Sequence, residues 1–164
     1  MKRGVSLMRR QDRQMDEVDA LAFLQQATFG VLSLCDHDTP YGIPLNHFYE
    51  EGKLYFHAAT AGRKLDIIAQ NPKASYVVAE CSSIKDSPNG LLCGFGTYFR
   101  SVICNGTIQI ITDPREKAVI ASRLTRHLAQ EAAAGMLDVT PQETASIIIM
   151  ALTIENISGK SNQT

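Results

Sequence analysis

The sequence predicts a mainly β protein, an antiparallel barrel that is closed or nearly closed, with helices on its flanks. Three observations lead there. Six segments are rich in β-branched, aromatic and other apolar residues. Turn-forming clusters such as "DHDTPYG" and "EEGK" separate the first three of them, so consecutive antiparallel pairing is expected. Helical patterns are inserted between strands that dominate the chain. At 164 residues the chain reads as a single domain, 1–164, with an Arg-rich N-terminal arm over 1–15.

In chain order, "MDEVDALAFLQQA" places Val18, Leu21 and Leu24 at helical spacing behind an acidic first turn. Strands follow near 28–35, 41–50 and 53–59. Pro40 and Pro44 mark strand starts or edges, where a missing N–H is tolerated. A helix then runs to about Gln70, where Asn71-Pro72 stops it. "ASYVVAEC" is a fourth strand, and "SSIKDSPNGLLCGFG" is a long loop of the kind that often carries function. "TYFRSVICNGTIQIIT" is a long strand with a bulge or bend at Gly106. "DPREK" starts a helix with Asp113 as cap, Pro114 in the first turn and Glu116 at the capping-box position. Thr140, Pro141 and Glu143 repeat that device. The run from "IIIMALTIENISGK" is the last strand.

Hydrophobic content of 45% and charged content of 20% fit an ordinary globular protein. A net charge of −1 gives no basic field for nucleic acid, and no apolar run is long enough for a membrane helix. The basic N-terminus lacks the apolar stretch of a secretory signal. Cys35, Cys81, Cys93 and Cys104 form no CxxC pair and have no histidine at zinc-finger spacing. They read as reduced, partly buried thiols in a cytoplasmic protein, with no metal site.

Three stretches carry candidate chemistry. In "LYFHAATAGRKLDII" a strand turns into a helix through small residues, and Arg63 and Lys64 fall in the helix's first turn. Cations are unfavourable there, because the helix dipole prefers anions at that end. A phosphate would relieve the conflict by accepting from backbone N–H groups, the ammonium and the guanidinium together. Thr60 adds a hydroxyl, or caps the helix. A solvated basic turn explains the same residues equally well. In "YFRSVICNG", alternation puts Tyr98, Arg100 and Val102 on one face and Phe99, Ser101 and Ile103 on the other. Arg100 either faces solvent or meets an anion. In "PYGIPLNHFY", Asn46 and His47 are either readers of a heterocycle's edge or ordinary polar strand positions. His37 and His127 read as surface residues.

Taken together, "RRQDRQMD", "TFGVLSLCDHDTPYGIPLNHFYEEGKLYFHAATAGRKLDIIAQNP", "TYFRSVICNGTIQII" and "IENISGK" resemble the pyridoxamine 5'-phosphate oxidase-like FMN-binding proteins. Within that group the match is to the branch that includes the 5-nitroimidazole resistance (Nim) proteins. The resemblance implies a split β-barrel that forms a homodimer with FMN at the subunit interface. It implies that the strand Ile43, Pro44, Leu45, Asn46 runs along the flavin ring, and that His57, Ala58 and Ala59 lie near it. Thr60, Gly62, Arg63 and Lys64 would hold the phosphate. Arg100, Ser101 and Val102 would add ribityl or phosphate contacts. His57 is the candidate catalytic residue, since an imidazole titrates near neutrality and suits proton delivery; packing beside the cofactor is its alternative. The implied activity is electron transfer from a reduced donor, such as transiently bound NAD(P)H, to a small acceptor of the nitroimidazole kind. A non-catalytic flavin- or haem-binding role is the alternative. The tail "ENISGKSNQT" lacks the substrate-binding pattern of the vitamin B6 oxidases.

Overall fold

A computed structural model describes residues 8–162. Strand β1 (Gln14–Met15) and helix α1 (Glu17–Gln26) open the chain, followed by β2 (Phe29–Asp36), β3 (Thr39–Asn46), β4 (Phe48–Glu50) and β5 (Lys53–Ala59). Helix α2 (Arg63–Gln70) leads to the long strands β6 (Lys73–Lys85) and β7 (Gly96–Ile111). Helix α3 (Pro114–Ala129) and β8 (Ile147–Ser161) complete it. The strands form one antiparallel eight-stranded sheet in the order β3-β2-β6-β7-β8-β5-β4, with β1 added to β8.

The expected barrel is therefore not formed. The sheet is open, and β3 and β4 are its two edges. These strands are consecutive in sequence, yet they belong to opposite ends of the sheet. The reason lies at His47, inside the expected 41–50 strand. Its ring is fully buried, and it divides that stretch into two strands. Pro40 and Pro44 also strip N–H donors from β3, so this strand is suited to an edge, as expected of them. The sheet still curves strongly. Phe56 on β5 and Tyr76 on β6, three strands apart in the order, bring their rings to 5.0 Å.

The core fills the concave side. Leu32, Leu54, Phe56, Tyr76, Val78, Val102, Cys104, Met150 and Leu152 point into it, and Phe23, Leu24, Ile67 and Ile68 cap it from α1 and α2. Burying each large side chain is worth roughly 1.5–3 kcal/mol. On α1 the buried face is Ala20, Phe23 and Leu24, while Val18 is exposed. Helical spacing alone does not tell which of two adjacent stripes turns inward. Helix α3 packs on the other face of the sheet, over Ile149, through Ile120 and Ala121.

The bulge falls opposite Gly106, where the β7–β8 register shifts by one residue at Glu155. A Cβ on Gly106 would lie 1.9 Å from the Thr153 carbonyl oxygen. Lys73 holds the bulged Glu155 at 3.0 Å, beside Thr107. Asp113 caps α3 as expected, accepting from the Glu116 N–H at 2.8 Å. The Thr140–Glu143 device starts only a 3-10 turn, Gln142–Ser146. The expected long loop is shorter than read, because β6 and β7 extend as a two-stranded arm to Lys85 and Gly96. Residues 1–7 of the predicted N-terminal arm lie outside the described residues, and its end at Gln14 and Met15 pairs with Lys160 and Gly159. Three of the four cysteines, Cys35, Cys81 and Cys93, are exposed rather than partly buried, and all four are free.

Candidate functional site

Strand β5 leaves the sheet at Ala59, and the chain turns through exposed Thr60, Ala61 and Gly62 into α2. Gly62, not Thr60, is the residue before the helix. Its φ of 131° is open only to glycine, and nothing lies within 4 Å of where a Cβ would stand. Conformation, not space, therefore demands glycine here. The turn leaves the helix start without a side-chain cap. The other two α-helices differ. Asp16 accepts from the Asp19 N–H at 2.7 Å at the start of α1, and Asp113 does the same for α3. The uncapped helix is the one whose first turn carries Arg63 and Lys64.

Arg63 has an internal anion. Its Nη2 and Nε lie 3.0 and 3.3 Å from the Asp36 carboxylate at the end of β2. Its guanidinium sits 4.6 Å over the Tyr41 ring. His37 first, and Arg63 with it, hold the Asp36 carboxyl below its ordinary range. The pair is open to water and worth little by itself. Lys64 is half-buried and has no hydrogen-bond or ion-pair partner among the described residues. The turn thus presents unpaired N–H groups, one unpartnered ammonium and one guanidinium already oriented by a carboxylate and a ring.

Strand β3 runs from this turn along the sheet edge. Ile43 and Leu45 pack against the core, whereas Pro44 and Asn46 are exposed on the outer face. The Asn46 amide donates to the Thr28 carbonyl at 3.0 Å. His57 is exposed on the outer face of β5, while Ala58 is buried beneath it. It borders an apolar groove of about 440 Å³, with Leu124, Leu128, Val139 and Ile147 among its walls.

The third stretch lies elsewhere. Arg100 is half-buried on the same face as Val102, 2.6 Å from Glu80 Oε1 and 4.5 Å over the Phe23 ring. Its anion is internal, which neither sequence alternative specified. Val102 is fully buried in the core, and Ser101 faces outward. Arg100 sits near Thr28 and Phe29, at the start of β2, while Arg63 binds its far end. Eight residues of strand span about 23 Å. Within one chain, then, the turn and the Thr39 end of β3 lie at one end of β2, and Asn46 and Arg100–Val102 lie at the other, apart from Arg63 and Lys64.

Two histidines differ from expectation. His47 reads no heterocycle. Its Nε2 donates to the Leu24 carbonyl at 3.0 Å, and its Nδ1 meets the Tyr76 hydroxyl at 2.9 Å. His127 is half-buried against Phe48, with its Nε2 buried and unbonded in the structure. Asp36, Tyr41 and Glu80, which position the arginines, escaped the sequence reading. They lie 20 or more residues away; the β6–β7 register brings Glu80 to Arg100, and the packing of α2 against the end of β2 brings Asp36 to Arg63.

The fold and this turn define an antiparallel-sheet protein with a cationic, uncapped helix start at the sheet's edge. The pyridoxamine 5'-phosphate oxidase family matches residues 16–161, and the chain belongs to that flavin-binding family. No curated protein matches it. Among solved structures it is similar to a candidate 5-nitroimidazole antibiotic resistance protein from Bacteroides thetaiotaomicron (19% identity, covering 90% of this chain and 85% of that one, TM-score 0.76). It is also similar to a flavocytochrome from Azotobacter vinelandii (19%, 96% and 73%, 0.82). A third is an FAD- and heme-binding protein from Mycobacterium smegmatis (19%, 93% and 74%, 0.80). At these identities the likeness is one of fold. No helix of the described residues is long and apolar enough to cross a membrane.

Proposed function

We propose that this protein is an FMN-dependent oxidoreductase that passes electrons from a reduced donor to a small acceptor, with the nitroimidazole class as first candidate. The observation that carries the reading is the start of α2. Among the α-helices of the described residues it alone lacks an aspartate cap, and it alone opens on two adjacent cations, Arg63 and Lys64. A 5'-phosphate fits both features. Lys64 and the N–H groups after Gly62 hold it, and Arg63 is kept in place by Asp36 and Tyr41.

FMN, when bound, supplies the two-electron chemistry. The chain's own residues do the rest. The unpaired edge of β3 at Ile43 and Pro44 meets the polar rim of the ring with backbone groups, while Asn46 lies at the far end of β2 with Arg100. Ala59, exposed at the end of β5, leaves room beside it. His57 stands over the apolar groove and delivers a proton to the acceptor. NADH or NADPH docks transiently.

The site is completed by a second copy of the chain. Ser101 and its neighbours lie too far from Arg63 to serve the same ligand within one chain, and a homodimer supplies them from the partner subunit. The outer face of the sheet supports this: Val31, Val77 and Ile103 form one cross-strand row there, and Val31 and Ile103 are exposed.

The test is the absorption spectrum of the purified protein and of two variants. Flavin bands are expected, and a Soret band instead would favour haem. Lys64→Ala should raise the FMN dissociation constant about tenfold, the loss of one charge-assisted hydrogen bond. His57→Ala should leave binding within about twofold and lower kcat. Protein that is colourless and takes up no added FMN refutes the proposal. FMN-loaded protein that reduces neither nitroimidazoles nor quinones, with NADH, NADPH or dithionite, leaves a flavin carrier.

A further inference from the structure

Beyond Cys81 and Thr97 the β6–β7 hairpin leaves the sheet as an arm with only its own two strands paired. Its tip is shaped. Ser87, Asn89 and Leu91 are tied by hydrogen bonds, Gly90 takes φ 70°, and residues 92–94 form a 3-10 turn. This fixed tip holds large apolar side chains in water: Leu91, Leu92 and Phe95, with Ile84 on the stem, and Leu92 is 89% exposed. Apolar groups presented on an ordered projection mark a contact surface.

The apolar groove at His57 is at the other end of the molecule. Its wall at Ile147 belongs to the stretch of β8 that pairs with Ile111, the last residue of β7, whereas the arm joins the first residue, Gly96. Sixteen residues of strand span about 50 Å. The arm therefore cannot reach the groove of its own chain.

A second copy can. The exposed row Val31–Val77–Ile103 crosses the middle of the sheet, and Ile103 stands at the midpoint of β7. A two-fold axis in the interface, running along this row and across β7, turns the partner's β7 antiparallel. The partner's arm then lies at this chain's Ile111 end. The central rows of four strands cover only about 300 Å² in projection. A stable interface needs about 800 Å² per partner, so the contact must extend beyond those rows, and the arm, with four exposed apolar side chains on one projection, is a surface that can supply it.

We infer that the arm of each subunit packs across the two-fold onto its partner, so that Leu91, Leu92 and Phe95 close over the groove beside the partner's candidate catalytic histidine. The inference rests on the homodimer proposed above and adds the partner's arm as a wall of the acceptor site. It also explains why the groove is apolar yet open in the single chain.

The test is a photo-crosslinker at the tip, Leu92→p-benzoylphenylalanine, in the full flavin-loaded protein. Leu92 touches no core residue, so the fold tolerates the change. Sedimentation is run first on the same sample. Dimers whose interchain crosslinks map to the Leu124–Ala129 end of α3 or the start of β8 support the inference. Dimers crosslinked arm to arm, or not crosslinked between chains at all, overturn it and leave the homodimer standing. A monomer overturns both, and the flavin band at the same time reports separately on cofactor binding. As a second readout, Leu92→Asp should weaken dimerisation tenfold or more and, at protein concentrations where the dimer persists, raise the acceptor KM; no change in either sinks the arm contact.

Discussion

Acid should destabilise this protein through one histidine, starting above the range in which its carboxylates titrate. His47 is fully buried where β3 gives way to β4. The Leu24 carbonyl can only accept, so Nε2 carries the proton. Tyr76's hydroxyl lies 2.9 Å from Nδ1 and 2.8 Å from the Leu45 carbonyl, one proton facing two acceptors. Burial pushes the ring's pKa down from 6.5 to about 4, against the pull of the Leu24 carbonyl and helped by the charge of His127. The sign follows. Between those values the unfolded chain holds a proton that the folded chain refuses, so stability falls as pH drops through the window. From pH 7 to pH 4.5 the loss is about 2.5 kcal/mol, a large share of a typical margin of roughly 5–15 kcal/mol. Urea denaturation at both pH values measures it, with His47→Gln as the non-titrating control. The control should be less stable at pH 7 but lose about 2.5 kcal/mol less on acidification. Equal acid losses in the two proteins, or a His47 NMR titration centred at or above pH 6.5, would refute the reasoning.

Further outcomes are expected. Gly106→Ala should cost about 3 kcal/mol or more, because the new Cβ meets the backbone of Thr153 and Glu155 and no flexible side chain can yield; urea midpoints check this. Gly62→Ala should cost about 1–3 kcal/mol through its left-handed backbone or reshape the turn, and the FMN titration should weaken with it; unchanged affinity would detach the turn from the phosphate. Asp36→Asn should free Arg63 and lower FMN affinity a few-fold, while Tm moves little, because the pair is exposed.

Local chemistry was legible in the sequence where neighbours in the chain decide it. Asp113-Pro114 caps a helix because the acceptor, the missing N–H and the next N–H groups lie within one turn. Pro40 and Pro44 put β3 at an edge because a strand short of donors cannot sit between two others. Gly106 marked the bulge, since only glycine admits a backbone that close. The conflict of Arg63 and Lys64 with a helix start was visible as a conflict, and the family resemblance lay in the same stretch.

What tertiary structure decided is which distant groups meet. Glu80 holds Arg100 through the register of β6 and β7, and Asp36 and Tyr41 hold Arg63 through the packing of α2 against β2 and β3, neither of which the local pattern encodes. His47 looked like any polar strand residue until the curvature of the sheet buried it between Leu24 and Tyr76. That burial also divided one expected strand into two and left the sheet open. The sequence by itself determined the elements, because propensity, caps and missing donors act over a few residues. Closure, the partners of each charge and the distance from Arg63 to Arg100 needed the fold, because they depend on how strands far apart in the chain are brought side by side.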